Sequence, residues 1–388
     1  ILGRYDWPGI YKPFDHQKTT AAFLTMNRRG FNLGEQGCVD SETEYLSPTG
    51  WIKISEYTGG DVAQYHPDTG DIEFVTPTDY IKKPCENMIH FKTKYGVDQM
   101  LSPEHRMVVH DNARKNKWVV MSAQEMQDNH DKKKQRIAAT PTKGKIGFGH
   151  SSTPATYKRA WGEGLPLSDA ELRLQVAAIA DGHFPSNTNR CVVRVKKQRK
   201  IDRLHSLIRL AGLTCSYATR MSDGFCIFTF DAPMRVKEYD ARFYQCSQRQ
   251  IDVIYSEVLH WDGCIRKGNR LGEFTSTSKA SADFIQAVFN SKGHIAKISE
   301  DTRENKYRGG VCYSVNIRES SDGLLHISSN NTTTPTITTA KSTDGFKYCF
   351  SVPSTFLLFR RNGCVFASGN TGKTSSVLWA ADYLMLKG

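Results

Sequence analysis

The alternation of hydrophobic and polar residues divides the chain into regions of different periodicity. From residue 38 to about residue 125, short apolar runs such as residues 51–54 and 88–91 are separated by glycine-containing turns, which predicts β-strands. Residues 165–328 combine helical spacing with strand-like runs and predict mixed α/β structure. A final β segment covers residues 347–367. We expect the two β regions to form one domain that the α/β region interrupts.

Two polar stretches separate these regions. Residues 129–156 are basic and rich in Gly, Ser and Thr, and residues 328–343 are rich in threonine. Both compositions are typical of linkers, so we predict no regular structure in them. Near the two ends of the chain, the spacing of apolar residues predicts helices over residues 17–29 and 375–387.

The central α/β region contains an internal repeat. Two apolar helical runs end in Asp-Gly pairs, at Asp181 and Asp262, and two later helical runs end at Gly212 and Gly293 with the same interval between them. The equal intervals indicate a duplication, although Asp-Gly also occurs at ordinary helix ends. If the first two helices pack about a pseudo-twofold axis, Asp181 and Asp262 lie side by side. Paired carboxylates of this kind are ligands that divalent cations prefer.

Composition favours an intracellular protein that binds a polyanion. The 388 residues carry a formal net charge of +12, which favours nucleic acid as a partner, although an ordinary basic enzyme has the same signature. No apolar run approaches the roughly 18 residues that span a membrane. The ten cysteines include no C-x-x-C pair, which favours a reducing compartment. We expect a monomer in the cytoplasm of a microbial or phage-infected host cell, without a membrane partner.

Two distant segments read as the halves of one phosphate-binding loop. Gly34-Glu35-Gln36-Gly37 and Thr371-Gly372-Lys373-Thr374, when joined, match G-x-x-x-x-G-K-[ST] in full. Such a loop binds phosphate only when its backbone N–H groups run continuously into a helix N-terminus. The insertion of residues 38–370 breaks that continuity, so we expect the inserted segment to be excised from the chain.

The residues at the ends of the insertion carry the chemistry that self-excision requires. The Cys38 thiol can attack the Gly37 carbonyl, and His105 is the candidate to hydrogen-bond or protonate the departing Cys38 nitrogen, with Ser102 orienting it. Thr371 offers a hydroxyl that can capture the acyl group. Asn370 can cyclise onto its own carbonyl and cut the chain, and an O→N shift then joins Gly37 to Thr371.

Residues 38–370 resemble an intein. The resemblance rests on three segments, residues 38–44, 99–106 and 348–370, which stand in the family's order at the ends of the insertion. It implies an all-β splicing domain of the Hint type, discontinuous in sequence, that needs no cofactor. Two positions depart from the pattern: Gly369 stands where a histidine is usual, and Cys349 where an aspartate is common. The group that assists Asn370 is therefore open, with water, backbone groups and Cys349 as alternatives.

The central repeat resembles the LAGLIDADG homing endonucleases, with Asp181 and Asp262 ending the two signature helices. This resemblance implies an α/β domain with a pseudo-twofold repeat, both aspartates as magnesium ligands, and double-stranded DNA as the partner, at the host gene site that lacks the insertion. Lys237 is the candidate basic residue near the active site. Bulky His260 and Trp261 depart from the family's small residues at the helix contact, so a domain that binds DNA without cutting it is the alternative.

The flanking segments resemble the start of a superfamily-two helicase, of the Swi2/Snf2 kind. The resemblance implies that Gln17 contacts adenine, that Gly34, Gly37, Gly372 and Lys373 surround the phosphates, and that Thr374 holds magnesium, in the spliced product only.

The expected architecture is thus multidomain. A third hypothesis, a P-loop ATPase with a regulatory insertion, requires that the phosphate-binding loop functions although the insertion divides it. The expected segments are residues 1–37, 38–155, 156–330, 331–370 and 371–388.

Overall fold

The computed structural model describes most of the chain, with gaps between the described ranges. Those ranges are residues 15–26, 37–66, 71–92, 97–111, 117–128, 143–147, 161–185, 187–219, 224–265, 272–302, 310–318, 324–328 and 337–369. The first of them is a helix, α1 (Asp15–Met26), at the position where the apolar spacing predicted one. In the described residues, no helix is both long and apolar enough to cross a membrane.

Ten of the described strands form one antiparallel sheet. Its members come from both ends of the insertion: β1 (Glu44–Ser47), β2 (Gly50–Lys53), β3 (Val62–Tyr65), β4 (Ile72–Val75), β8 (Arg106–Asp111), β9 (Lys117–Ser122), β10 (Lys143–Gly147), β19 (Leu324–Ser328), β22 (Phe356–Arg361) and β23 (Cys364–Gly369). A short helix, α2 (residues 123–128), follows β9. The β1–β22 and β8–β23 pairs join early strands to late ones, as the hydrophobic pattern predicted.

Five further strands make two smaller antiparallel groups. They are β5 (Asp79–Pro84), β6 (Asn87–Lys92), β7 (Asp98–Leu101), β20 (Ile337–Lys341) and β21 (Phe346–Ser351). The orders are β20-β6-β7 and β21-β5, so each group again combines early and late strands. Apolar side chains from all these segments, including Phe91, Leu101, Phe350 and Phe366, share one buried cluster.

The prediction that the two polar stretches contain no regular structure is wrong, because each of them contains a strand. β10 lies within the basic stretch and pairs with both β8 and β19. β20 lies within the threonine-rich stretch and pairs with β6. A polar segment becomes a strand when it forms hydrogen bonds with strands far away in sequence, so its composition alone does not predict the strand. Threonine itself favours strands. β19 also belongs to this sheet, although residues 156–330 were expected to lie in the central domain.

The central region repeats one arrangement twice. Its elements are α3 (Asp169–Asp181), β11 (Gly182–His183), β12 (Arg190–Val195), α4 (Gln198–Leu210), β13 (Cys215–Thr219), β14 (Cys226–Asp231), α5 (Gln248–Trp261), β15 (Gly263–Ile265), β16 (Gly272–Ser276), α6 (Lys279–Ser291), β17 (Ile295–Asp301) and β18 (Cys312–Arg318). The sheets run β11-β12-β14-β13 and β15-β16-β18-β17, which is the same order.

Local signals explain the bounds of the repeated helices. Ser168 and Ser247 begin α3 and α5, and each forms a reciprocal capping box with the third helical residue. After α4 and α6, the chain passes through Gly212 and Gly293 at φ angles of +66° and +80°, which favour glycine. The duplication inferred from the spacing of these residues therefore appears as two equivalent units.

A buried arginine joins the central region to the large sheet. Arg360 on β22 is about 1% exposed, and its guanidinium donates to Glu44 at 2.6 Å, to Asp283 at 2.6 Å and to Gln286 at 3.1 Å. Glu44 belongs to the large sheet, whereas Asp283 and Gln286 lie on α6. The two parts of the molecule are thus connected by charges that are removed from water.

We predict that Arg360→Met destabilises the protein by about 3–5 kcal/mol, because it leaves buried carboxylates without their cation. The measurement is the free energy of urea unfolding. Lys53→Met is the control, since the Lys53–Glu42 pair is exposed and should contribute no more than about 1 kcal/mol. Equal losses in the two variants would contradict a special role for the buried pair.

Candidate functional site

The Cys38–Val39 backbone lies between β21 and β7. Cys38 is fully buried, and the next residue, Val39, exchanges two 2.8 Å backbone hydrogen bonds with Tyr348 on β21. On the other side, the Ser102 amide donates to the Cys38 carbonyl at 2.9 Å. Segments near both ends of residues 38–370 therefore hold the backbone of Cys38 and Val39.

The Ser102 hydroxyl contacts the Gly37–Cys38 peptide group. The Cys38 amide donates to the Ser102 hydroxyl oxygen at 2.9 Å. The sequence prediction that Ser102 orients His105 is therefore wrong. The turn after β7 places the Ser102 side chain beneath the Cys38 amide, while its carbonyl accepts from the His105 backbone amide at 3.0 Å.

His105 faces the same peptide from a fully buried position. Its Nε2 lies 2.5 Å from the Ser368 hydroxyl, and its Nδ1 lies 3.3 Å from the place that a Cβ on Gly37 would occupy. Burial lowers the pKa of His105 to about 3, with a further contribution from the Arg106 charge, although the backbone of Cys38 and Gly37 raises it in part. The ring is therefore neutral at pH 7 and able to accept a proton.

Gly37 and Gly369 meet at this histidine. A Cβ added to Gly37 would lie 2.7 Å from the His105 Cα and 3.2 Å from the Gly369 carbonyl oxygen, so only glycine fits. Gly369 is brought there by the pairing of β23 with β8, in which it stands opposite Arg106. The last described residue before Asn370 thus touches the first junction.

A second thiol lies beside Cys38. The Val39–Tyr348 bridge continues in antiparallel register to place Cys38 opposite Cys349, and the two share a small buried cluster with Ile81. A hydrogen bond with Cys349, together with burial, raises the pKa of the Cys38 thiol far above its ordinary value. Cys38 is therefore a protonated thiol in this site, and it would have to lose its proton to act as a nucleophile.

Several predicted site residues lie outside the described part of the chain. Asn370 and Thr371 belong to this group, as do the loop residues Gly34, Gly372, Lys373 and Thr374. Gln17 lies on α1, and its side chain is not described. Their roles stay predictions from the sequence.

The repeat unit brings the two predicted aspartates together. Asp181 ends α3 and Asp262 follows α5, the two helices that pack against each other along the pseudo-twofold. Burial raises the pKa of Asp262 to about 6, and the nearby charge of Asp181 contributes to the same shift. The Asp181 charge disfavours ionisation of Asp262, and a divalent cation between the two carboxylates would relieve that repulsion.

Two lysines surround this carboxylate pair. Lys200 forms an ion pair with Asp181, and the Lys237 ammonium donates to the carbonyls of Ala178 and Ile179 in the last turn of α3. Burial lowers the pKa of Lys237, and Asp262 and Asp181 partly offset that effect. The sequence singled out Lys237, whereas Lys200 was missed because only the fold brings α4 next to Asp181.

Bulky residues at the end of α5 do not separate the two helices. Trp261 is buried and donates from its indole nitrogen to Glu257 at 3.0 Å, along its own helix. Arg173 of α3 still reaches Glu257 at 2.8 Å. Within the described residues, no group of three or more His, Cys, Asp or Glu side chains could hold a metal ion, so a cation here would rest on two carboxylates.

No family model and no curated protein matches the chain. Among solved structures, the homing endonuclease I-DmoI in complex with DNA and manganese is similar with a TM-score of 0.28 and 13% identity, over 38% of this chain and 89% of that one. Full-length WhiA from Thermatoga maritima is similar with a TM-score of 0.29 and 12% identity, over 41% of this chain and 54% of that one.

The third similarity is to a split intein. A glutathione-linked, splice-inactive variant of the AceL NrdHF class 3 split intein has a TM-score of 0.20 and 25% identity, over 23% of this chain and 56% of that one. The structural neighbours therefore include both LAGLIDADG proteins and an intein. Because the TM-scores are low, the functional assignment rests on the geometry of this chain.

We predict that the protein loses stability as the pH falls from about 6.5 towards 3. The His105 pKa is about 3 in the folded chain, so in this window the unfolded chain binds a proton that the folded one does not. The free energy of unfolding should therefore fall by up to about 1.4 kcal/mol per pH unit. The measurement is urea unfolding at a series of pH values.

His105→Gln should remove this component of the pH dependence and flatten the profile between pH 3 and 6.5. His66→Gln, which alters a half-exposed histidine paired with Glu73, is the control and should leave the slope unchanged. A parent profile that coincides with that of His105→Gln would contradict a buried neutral imidazole.

Proposed function

We propose that residues 38–370 excise themselves and join Gly37 to Thr371, which restores the phosphate-binding loop of a host protein. The observation that carries this proposal is the meeting of Gly37, Cys38 and Gly369 around His105. A reaction that joins the two flanks needs its two junctions in one place. The buried imidazole supplies an acid–base group at that place.

The first step is an acyl shift from nitrogen to sulfur. Cys38 Sγ attacks the Gly37 carbonyl carbon, the C–N bond to Cys38 breaks, and the thiol proton ends on the departing amine. Amide resonance opposes this step unless the nitrogen is protonated as it leaves. His105 faces the peptide as a neutral base, and the Ser102 hydroxyl holds the amide in position.

The later steps follow from the residues at the second junction. The Thr371 hydroxyl takes the acyl group from Cys38 as an ester, and Asn370 cyclises to release the inserted segment. A shift from oxygen to nitrogen then completes the Gly37–Thr371 peptide bond. These steps use side-chain and main-chain groups of the chain itself and need no cofactor. Cys349 lies at Cys38, which favours a role at the first junction over assistance to Asn370.

The host of the insertion is proposed to be a superfamily-two helicase of the Swi2/Snf2 kind. Its restored loop would bind ATP and magnesium through Lys373 and Thr374, with Gln17 at the adenine. In the uncleaved chain, the loop residues are separated by the insertion, so no ATP site is expected before splicing. The splicing domain comprises residues 38–155 and 331–370, and the pairing of β19 with β10 favours extending its second part back to residue 324.

We predict that the purified chain converts into two products, the 38–370 segment and the joined flanks. Cys38→Ala should stop cleavage at Gly37, since the nucleophile is lost, and Asn370→Ala should stop cleavage before Thr371. Intact-mass spectrometry over time measures each product. The combined Cys38→Ala and Asn370→Ala variant should stay uncut.

Cys215→Ala is the matched control for the cysteine change, because Cys215 is a half-exposed thiol in the central region. It should process at the parent rate. Normal ligation in the Cys38→Ala variant would rule out the proposed nucleophile.

For the central region we propose a second activity, the site-specific cleavage of double-stranded DNA at the host gene site that lacks the insertion. The observation in its favour is the Asp181–Asp262 pair where two equivalent units meet, with Lys200 and Lys237 beside it. The two aspartates would hold magnesium, which supplies activation of water and stabilisation of the leaving oxygen. The lysines would balance negative charge at the phosphodiester.

Basic residues on the first sheet of the repeat support DNA as the partner. On β12, Cys191 and Val193 point into the core, so the alternate residues Arg190 and Arg194 are exposed. Their charges would neutralise phosphates along a duplex. A DNA-binding domain that no longer cuts is the alternative, and it would share this surface. We expect a monomer in the cytoplasm, because one chain contains both units of the repeat.

We predict that a duplex spanning the uninterrupted host site is cut in the presence of magnesium. Asp181→Asn and Asp262→Asn should each lower the rate by about a hundred-fold or more, because cation binding is lost. Activity should also fall as the pH drops below about 6, where Asp262 takes up a proton. Gel analysis of end-labelled DNA measures the cleavage.

Asp252→Asn is the matched control, since Asp252 is an exposed aspartate on α5, the helix that precedes Asp262. It should cut at the parent rate. Binding without cleavage in the parent would favour the DNA-binding alternative, and cleavage that persists in Asp181→Asn would refute the site.

A further inference from the structure

One buried hydroxyl connects the catalytic histidine to the far end of the insertion. Ser368 lies on β23, is about 1% exposed, and precedes Gly369 and Asn370. Its hydroxyl oxygen makes two contacts, one with His105 Nε2 at 2.5 Å and one with the Arg106 carbonyl oxygen at 3.0 Å. Its place in the sequence, far from His105, gave no sign of this contact.

The two contacts decide which nitrogen of His105 carries the proton. A serine hydroxyl has one proton to donate, and a carbonyl oxygen can only accept. The Ser368 proton is therefore directed to the Arg106 carbonyl. The remaining lone pairs of Ser368 face His105 Nε2, which must donate. A neutral imidazole that donates from Nε2 has its lone pair on Nδ1.

The lone pair on Nδ1 points to the reacting peptide. Nδ1 is buried and, within the described residues, makes no well-formed hydrogen bond, and the backbone of Cys38 and Gly37 beside it raises the His105 pKa in part. It faces Gly37, at 3.3 Å from the position of an added Cβ. The Cys38 amide is already engaged with Ser102, so it does not compete for this lone pair.

We propose that Ser368 is a positioning residue for the splicing reaction, which holds His105 in the tautomer whose unprotonated Nδ1 faces the Gly37–Cys38 peptide. This inference rests on the proposed splicing function and adds a residue to it. Ser368 touches none of the reacting atoms. It acts through His105, which is the group that exchanges the proton.

This tautomer gives the first step a balanced proton path. His105 Nδ1 accepts the thiol proton as the Cys38 Sγ–Gly37 carbon bond forms, and the ring becomes an imidazolium. The same proton then passes to the Cys38 nitrogen as the Gly37 C–N bond breaks, and the ring returns to its neutral form. No proton is gained or lost overall. The opposite tautomer, with hydrogen on Nδ1, cannot begin this path.

The arrangement also ties the first reaction step to correct folding of the second junction. Ser368 reaches His105 only when β23 is paired with β8, where Ser368 stands opposite Met107. The strand that carries Ser368 leads directly to Asn370. His105 is therefore held in this tautomer at the first junction only after the strand that leads to the second junction has paired with β8.

The test uses the full chain with Asn370→Ala, so that only the first junction reacts. Hydroxylamine-induced cleavage at Gly37 reports the thioester, and its rate is measured as a function of pH. Ser368→Ala should lower the rate about ten-fold or more and change the pH profile, because general-base help is lost. Ser368→Thr keeps the hydroxyl and should restore most of the rate. Ser47→Ala, which removes another buried hydroxyl of the same sheet, should behave as the parent.

The tautomer is measured directly by nitrogen NMR of the labelled imidazole in the Asn370→Ala chain. The expected spectrum has an unprotonated Nδ1 and a protonated Nε2, and in Ser368→Ala this preference should weaken. A proton on Nδ1 in the parent, or an unchanged cleavage rate in a folded Ser368→Ala protein, would overturn the proposal. Absence of thioester in the parent itself would instead refute the splicing function, so the two failures can be told apart.

Discussion

The pairing of β8 with β23 is the constraint on which the candidate splice site depends. Both strands are short, and the residues that matter stand at their ends: His105 immediately precedes β8, and Gly369 ends β23. Their pairing places a carbonyl from one junction against the Gly37 backbone of the other. Burial then gives this junction its chemistry, a neutral imidazole and a protonated thiol.

The central region is attached to this framework by charge as well as by apolar packing. Arg360 on β22 connects Glu44 of the sheet with Asp283 of α6, and the next residue, Arg361, pairs with Asp40 and Asp98 near the first junction. Burial alone would raise the pKa of Asp98, but hydrogen bonds from His90 and Asn362 and the Arg361 charge bring it to about 2. Two adjacent arginines of β22 thus connect the large sheet to the central region and to the residues that follow Cys38.

The sequence allowed the repeat and the main β regions to be predicted, because their signals are local. Apolar spacing, the Asp-Gly pairs and the glycines at helix ends identify α3, α5 and their counterparts without tertiary information. The strands β10 and β20 were missed, since their polar residues become strands only through pairing with distant partners. For the same reason, the sequence did not predict the contact of Ser102 with the Cys38 amide, or the contacts of Ser368, Lys200 and Arg360. Each of them acts through a neighbour far away in sequence.

The central claim is that the chain joins Gly37 to Thr371. The most direct measurement is mass spectrometry of a tryptic digest after incubation of the purified protein. The account predicts a new peptide in which Gly37 is followed by Thr371-Gly372-Lys373, and its appearance should match the loss of the peptides that span Gly37–Cys38 and Asn370–Thr371. A folded chain that retains both of those junction peptides after long incubation, with no joined peptide, would contradict the account.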